Sequence, residues 1–157
     1  MAVKAEFKIE GLQQLQQKLK ERRDALKRVL DMKILQLAEE AVTHAKVNKG
    51  YKDRTANLKN SISFALFYDG ELVTKKVGNI NEQEAPEGHQ GVETILDEYA
   101  QSGVVRPQGY SLIIVAGMEY GAYVEHKGYN VLHLTKYFLR DEMRKILEET
   151  VEEIRNL

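Results

Sequence analysis

The sequence predicts an α+β fold: a long N-terminal helix and a C-terminal helix packed on a small, mainly antiparallel sheet, with a helix-containing insertion between strands. Three observations predict it. Apolar residues recur at helical spacing over 12–46 without an intervening Gly or Pro, and again from Leu134 toward Arg155. Between them lie short strand-like runs at 61–68, 71–78 and 110–116. The dipeptide Asp69-Gly70 joins the first two of these runs as a hairpin.

The chain opens on a strict alternation, with Val3, Ala5, Phe7 and Ile9 on one side and Lys4, Glu6, Lys8 and Glu10 on the other. That pattern predicts a half-buried strand ended by Gly11. In the long helix, Leu12, Leu15, Leu19, Leu26, Leu30, Ile34, Leu37, Ala41 and Ala45 mark one inward face. At 1.5 Å per residue it would run about 50 Å, longer than a compact domain of this size is wide, so it should bend, break or project. Arg22, Arg23, Lys27, Arg28 and Lys33 make its middle positive. Residues 47–54 read as a loop, and Thr55 as the N-cap of a single helical turn over 56–60.

The strand at 61–68 places Ile62, Phe64 and Leu66 on one face. The other face carries Ser61, Ser63, Ala65 and Phe67, so Phe67 needs cover from elsewhere. Residues 79–109 hold both prolines, Pro86 and Pro107, and read as an insertion with a helix at about 92–102. It could form a flap or join the core. The run Tyr110-Ser111-Leu112-Ile113-Ile114-Val115-Ala116 does not alternate, which predicts a central strand covered on both faces. A short helical or irregular turn is expected at 119–125. The last helix should turn Leu134, Phe138, Ile146, Leu147, Val151 and Ile154 inward. Glu148, Glu149, Glu152 and Glu153 crowd its C-terminal turns, where the helix dipole disfavours carboxylates.

Composition narrows the function classes. The 157 residues fit one domain, 1–157, and the absence of Cys removes disulfides, thiol nucleophiles and Cys-ligated zinc. No apolar run approaches a membrane span, and the first residues lack the apolar core of a signal peptide. The net charge of −1 hides an asymmetry: residues 1–60 carry a net of +6 and residues 61–157 a net of −7. Opposite charge on the two halves suits head-to-tail contacts between copies, which close into rings where the rotation permits.

No Gly-rich phosphate loop, dinucleotide fingerprint or nucleophile elbow is present. His126 and His133, with Glu125, match no metal-site spacing, and no cofactor is expected. A hydrolase built on Glu119, Glu125 and His126 would need these groups to converge in a pocket. Tyr120, Tyr123, Tyr129 and Tyr137 fall within 18 residues, an enrichment suited to an interface.

The order of landmarks is similar to that of a known family. Phe7-Lys8-Ile9-Glu10-Gly11-Leu12 opens the long helix, and Thr55-Ala56-Asn57-Leu58-Lys59-Asn60-Ser61-Ile62 introduces the hairpin. Tyr120-Gly121-Ala122-Tyr123-Val124-Glu125 follows the apolar strand, and Tyr137-Phe138-Leu139-Arg140 enters the last helix. The sequence resembles the tail-component family of tailed bacteriophages and prophages, also called tail-completion, head–tail joining or minor capsid proteins. It departs from the commoner pattern at 126–132 and in the length of 79–109.

The resemblance implies a non-enzymatic subunit without a cofactor, forming a ring, commonly a hexamer, between head connector and tail tube. DNA would pass through the lumen without sequence-specific binding, and the protein would reside in the virion neck or in the host cytoplasm as a prophage product. No membrane partner is implied. Candidate interface residues are Arg22, Arg23, Lys27 and Arg28 on the helix, Lys49, Tyr51 and Lys52 in the loop, Phe67, Asp69 and Gly70 at the hairpin, and Tyr120, Tyr123 and Tyr129. Thr55, Leu58, Ser61 and Glu125 are expected to be structural: a cap, a core anchor, a motif serine and a hydrogen-bonded carboxylate. The competing reading is a nucleic-acid-binding protein using the basic helix and the loop 49–54, with binding that falls steeply in salt.

Overall fold

The computed structural model describes residues 10–78 and 86–156. The expected strand at 3–10 and the first part of the insertion fall, apart from Glu10, outside them. The fold is α+β, as the hydrophobic spacing predicts. In chain order the elements are α1 (Leu12–Val47), α2 (Asn57–Asn60), β1 (Ile62–Tyr68), β2 (Glu71–Lys76), α3 (Pro86–Gln101), β3 (Tyr110–Ala116), α4 (Gly121–His126) and α5 (His133–Arg155).

The chain divides into two compact units, Met1–Lys33 and Ile34–Leu157. In the first, α1 exposes Leu12, Leu15 and Leu19 by 47%, 54% and 59%, so the inward face expected along the whole helix does not extend to them. Lys27 is held to Asp31 at 2.8 Å and Arg23 to Asp24 at 2.9 Å. The second unit begins where burial of α1 begins, at Ile34, Leu37, Ala38, Ala41 and Ala45.

The sheet has the order β2-β1-β3, all antiparallel. β1 is the central strand and buries both faces over Ile62 to Phe67, whereas β3 is at an edge among the described residues and is mostly half-buried. The centre expected for β3 therefore belongs to β1. Two small serines on one face gave β1 the look of a one-sided strand, yet Ser61 and Ser63 are only 0% and 1% exposed.

Asp69 and Gly70 both adopt left-handed backbone (φ 51° and 84°), the requirement of a type I′ hairpin turn. Asp69 Oδ1 accepts the Gly109 N–H at 2.7 Å, pinning the turn to the entry of β3. A register irregularity between Leu66 and Phe67 marks a bulge in the β1–β2 ladder.

From Pro86 on, the insertion joins the core through Val92, Leu96 and Val105. α3 starts at Pro86, earlier than the expected 92, because a proline is tolerated in the first turn of a helix and Gly91 serves packing. A Cβ on Gly91 would lie 2.1 Å from the Gly117 carbonyl oxygen, so α3 crosses the end of β3 in backbone contact. Val92, Leu96 and Val105 then close over Ala65, Phe67 and Val115. Phe67 is thus covered by its own chain and is 5% exposed, which removes it from the candidate interface residues.

In α5 the buried residues are Thr135 and Thr150. Leu134, Leu147, Val151 and Ile154, expected inward, are 46–52% exposed. Thr135 faces inward because its hydroxyl meets His44 Nδ1 at 3.1 Å, beside the stacked rings of His44 and Phe138. A polar contact thus takes the helix face that hydrophobicity alone would give to leucine.

Candidate functional site

The site is built from two segments far apart in sequence, 51–61 and 120–125. In the first, Ala56 takes a left-handed conformation (φ 60°) unusual for a residue with a Cβ, and α2 follows as one turn. Ala56, rather than Thr55, occupies the N-cap position. Thr55 still contributes, its Oγ1 accepting the Asn57 N–H at 3.5 Å. Ser61 Oγ donates to the Leu58 carbonyl at 2.8 Å, and Ser63 Oγ donates to the Ser61 carbonyl at 3.0 Å. Ser63 Oγ in turn accepts the Gly78 N–H at 2.8 Å. Ser61, the C-cap of α2, and Ser63 on β1 thus tie the end of α2 to the sheet.

In the second segment, Gly121 opens α4 against Leu58: a Cβ there would come within 3.1 Å of Leu58 Cδ1. Leu58 is 4% exposed and belongs to the core, as expected for an anchor. The Tyr120 hydroxyl engages the Thr55 side chain and the Leu58 backbone. Burial, the larger effect, raises the pKa of that hydroxyl, although those hydrogen bonds oppose the rise. Glu125 is the hydrogen-bonded carboxylate the motif implies: its Oε2 accepts the Val131 and Leu132 N–H groups at 3.1 and 2.7 Å. It fixes the turn between α4 and α5.

Between the two segments lies an open cavity of about 520 Å³, lined by Tyr51, Arg54, Thr55, Leu58, Tyr120 and Tyr123 among others. Tyr120 and Tyr123 are 44% and 64% exposed at its rim. Lys127 stands 5.3 Å over the Tyr123 ring. Lys49 is spent on the loop itself, paired with Asp53 at 2.9 Å and donating to the Tyr51 carbonyl at 3.1 Å.

Tyr51 packs against the core, and its hydroxyl oxygen is buried without a hydrogen-bond partner. Burial, with Asp53, Tyr120 and Glu125 nearby, pushes its pKa up to about 12. The loop is fastened from the far side, where Gly50 N–H donates to the Asn130 carbonyl at 3.1 Å and Asn130 Nδ2 donates to the Asn48 carbonyl at 2.7 Å. Tyr129 adjoins this clasp and is exposed, as are Asp69, Gly70 and Lys52 on their own turns.

The groups of the hydrolase reading do not converge. Glu125 is committed to backbone N–H groups, and His126 Nδ1 lies 2.6 Å from the Ala122 carbonyl on its own helix. Glu119 lines a different cavity, beside α3. Among the described residues no cluster of His, Asp or Glu could hold a metal ion, and no helix is long and apolar enough to cross a membrane.

Sequence reasoning reached Arg54 only as the end of the loop 49–54 and Val124 only as part of the Tyr123-Val124-Glu125 motif, and it missed the role of Gly121. The motif spacing that singled out their neighbours was the available signal. The chain matches no protein-family model, no curated protein and no solved structure.

Proposed function

We propose that the chain is a non-catalytic, ring-forming subunit of the tail-completion kind, joining the head connector to the tail tube of a tailed bacteriophage or prophage. The observation that carries this reading is the meeting of the Thr55–Ser61 and Tyr120–Glu125 motifs around one open, tyrosine-rimmed cavity. These segments carry the family resemblance, and they build a shaped surface rather than a catalytic constellation.

Exposed tyrosines beside Lys52, Asp53 and Arg54 give the mix of aromatic and charged groups typical of a protein interface. In this reading the cavity receives a neighbouring subunit or the connector, while Thr55, Leu58, Ser61 and Glu125 hold its walls. DNA would pass through the ring lumen without its sequence being read.

The test is a mass measurement of the protein mixed with the head-connector and tail-tube proteins of its own phage or prophage. A ring of defined copy number supports the reading. The absence of any association under all conditions overturns it.

A further inference from the structure

The first turns of α1, residues 12–23, are exposed without exception. At about 100° per residue, Leu12, Leu15 and Leu19 fall within about 60° of one another and form a leucine stripe. Lys18 and Arg22 border it on one side and Lys20 on the other. Glu21 lies on the opposite face, bonded to Gln17 at 2.8 Å, and Arg23 is engaged with Asp24. Lys18, Lys20 and Arg22 form no ion pair among the described residues. Three exposed leucines on one helix face make an apolar patch of the kind that marks an interaction site.

The cavity beside α3 that holds Glu119 has the complementary character. It has a volume of about 520 Å³, with Ile95, Ala116 and Met118 in its lining and Glu87, Glu98 and Glu119 around them. The three apolar residues are buried or half-buried, and the three glutamates are exposed. No Lys, Arg or His lines the cavity among the described residues. The three carboxylates form no ion pair there, whereas Glu93, also on α3, is paired with Lys75.

We propose that this cavity receives the leucine stripe of α1 from a second copy of the chain, as an amphipathic helix seats in a groove. The leucines meet the apolar lining, and Lys18, Lys20 and Arg22 meet Glu87, Glu98 and Glu119, three charges against three. The other surfaces match less well. A second α1 would set like charges together, and the tyrosine-rimmed cavity presents Lys52 and Arg54 against Asp53. Stripe and groove are different patches, so the contact is head-to-tail and can repeat from copy to copy. It deepens the ring reading, on which it rests for the presence of neighbouring copies. An interface of three leucines and three surface ion pairs is of the weak class, adding to the ring contacts without sustaining them alone.

A weak contact is best trapped covalently, and the full chain has no native Cys to interfere. Leu15→Cys chains are mixed with Thr94→Cys chains, and separately with Leu147→Cys chains as a control, and treated with a short bis-maleimide. Thr94 lines the cavity, and Leu15 and Leu147 are exposed. The product linking positions 15 and 94 should exceed the control product several-fold. It should fall several-fold as salt rises from about 0.15 to about 1 M. E87K/E98K/E119K in the Thr94→Cys chain should abolish the product, and K18E/K20E/R22E in the Leu15→Cys chain should then restore it.

A yield no greater than the control, cross-linking mainly between two Leu15→Cys chains, or no rescue by the paired charge reversal overturns the proposal. So does closure at high dilution within a chain carrying both cysteines, which would make the occupant its own α1. Ring formation with the connector and tail-tube proteins is read separately. A ring without the cross-link overturns this contact and leaves the ring reading standing, and the cross-link without a ring does the reverse.

Discussion

Glu125 offers the sharpest test of how the site is held. Its Oε2 accepts two backbone N–H groups, from Val131 and Leu132, at 3.1 and 2.7 Å. Val131 is 2% exposed, so its N–H has little recourse to water once the carboxylate is removed. A hydrogen bond to a charged group contributes about 1.5–3 kcal/mol, and stranding a buried donor costs a similar amount.

Two bonds sharing one partly accessible oxygen should together be worth about 2–4 kcal/mol, so Glu125→Ala should destabilise by that amount. Glu125→Gln keeps a neutral acceptor and should cost about half as much. For a chain of this length each kcal/mol moves the melting temperature by about 3 °C, so the alanine variant should melt about 6–12 °C lower. Urea unfolding followed by circular dichroism gives the free energies, and amide hydrogen exchange gives the local readout. Protection should fall at Val131 and Leu132 before other amides of the core. A Glu125→Ala protein within about 0.5 kcal/mol of wild type, with those two amides still protected, would refute the assignment.

Two other perturbations probe the packing. Gly91→Ala places a Cβ 2.1 Å from the Gly117 carbonyl oxygen, a backbone atom that cannot rotate away. It should cost about 1–3 kcal/mol or more in urea unfolding, and an unchanged midpoint would contradict the close crossing of α3 over β3. The Tyr51 phenol is held neutral, its pKa pushed from 10.0 to about 12. The unfolded chain therefore loses that proton first, and its share of stability is full below pH 10 and lost as pH rises toward 12. Urea midpoints at pH 9, 10 and 11 should fall less steeply for Tyr51→Phe than for wild type, and identical slopes would exclude Tyr51 as a contributor.

What was legible in the sequence follows from what is local. The bounds of α1 are written in an uninterrupted 3.6-residue period, and the hairpin in Asp69-Gly70, since few other pairs adopt two left-handed conformations cheaply. The hydrogen-bonded role of Glu125 came from a motif and matches the contacts it makes.

The misreadings are tertiary. β3 is as apolar as a central strand because α3 and the core press on its inner face at Ile113 and Val115, yet β1 takes the centre. Phe67 appeared to need an outside partner because its cover comes from α3, a helix whose length was hidden by Gly88 and Gly91. α5 turns on Thr135, whose partner His44 lies 91 residues away. The cavity itself was half legible: Tyr51, Tyr120 and Tyr123 were singled out, but the contact of Gly121 with Leu58 that joins the two walls has no signature in either segment alone.

The central claim is that the tyrosine-rimmed cavity assembles the chain with its neighbours. Tyr123 is 64% exposed, so Tyr123→Ala removes a rim ring with little effect on folding. The decisive measurement is the mass of wild type and Tyr123→Ala, each mixed with the connector and tail-tube proteins. The account predicts a ring for wild type and a folded but unassembled Tyr123→Ala protein. A wild type that never assembles, or a variant that assembles as well as wild type, would contradict it.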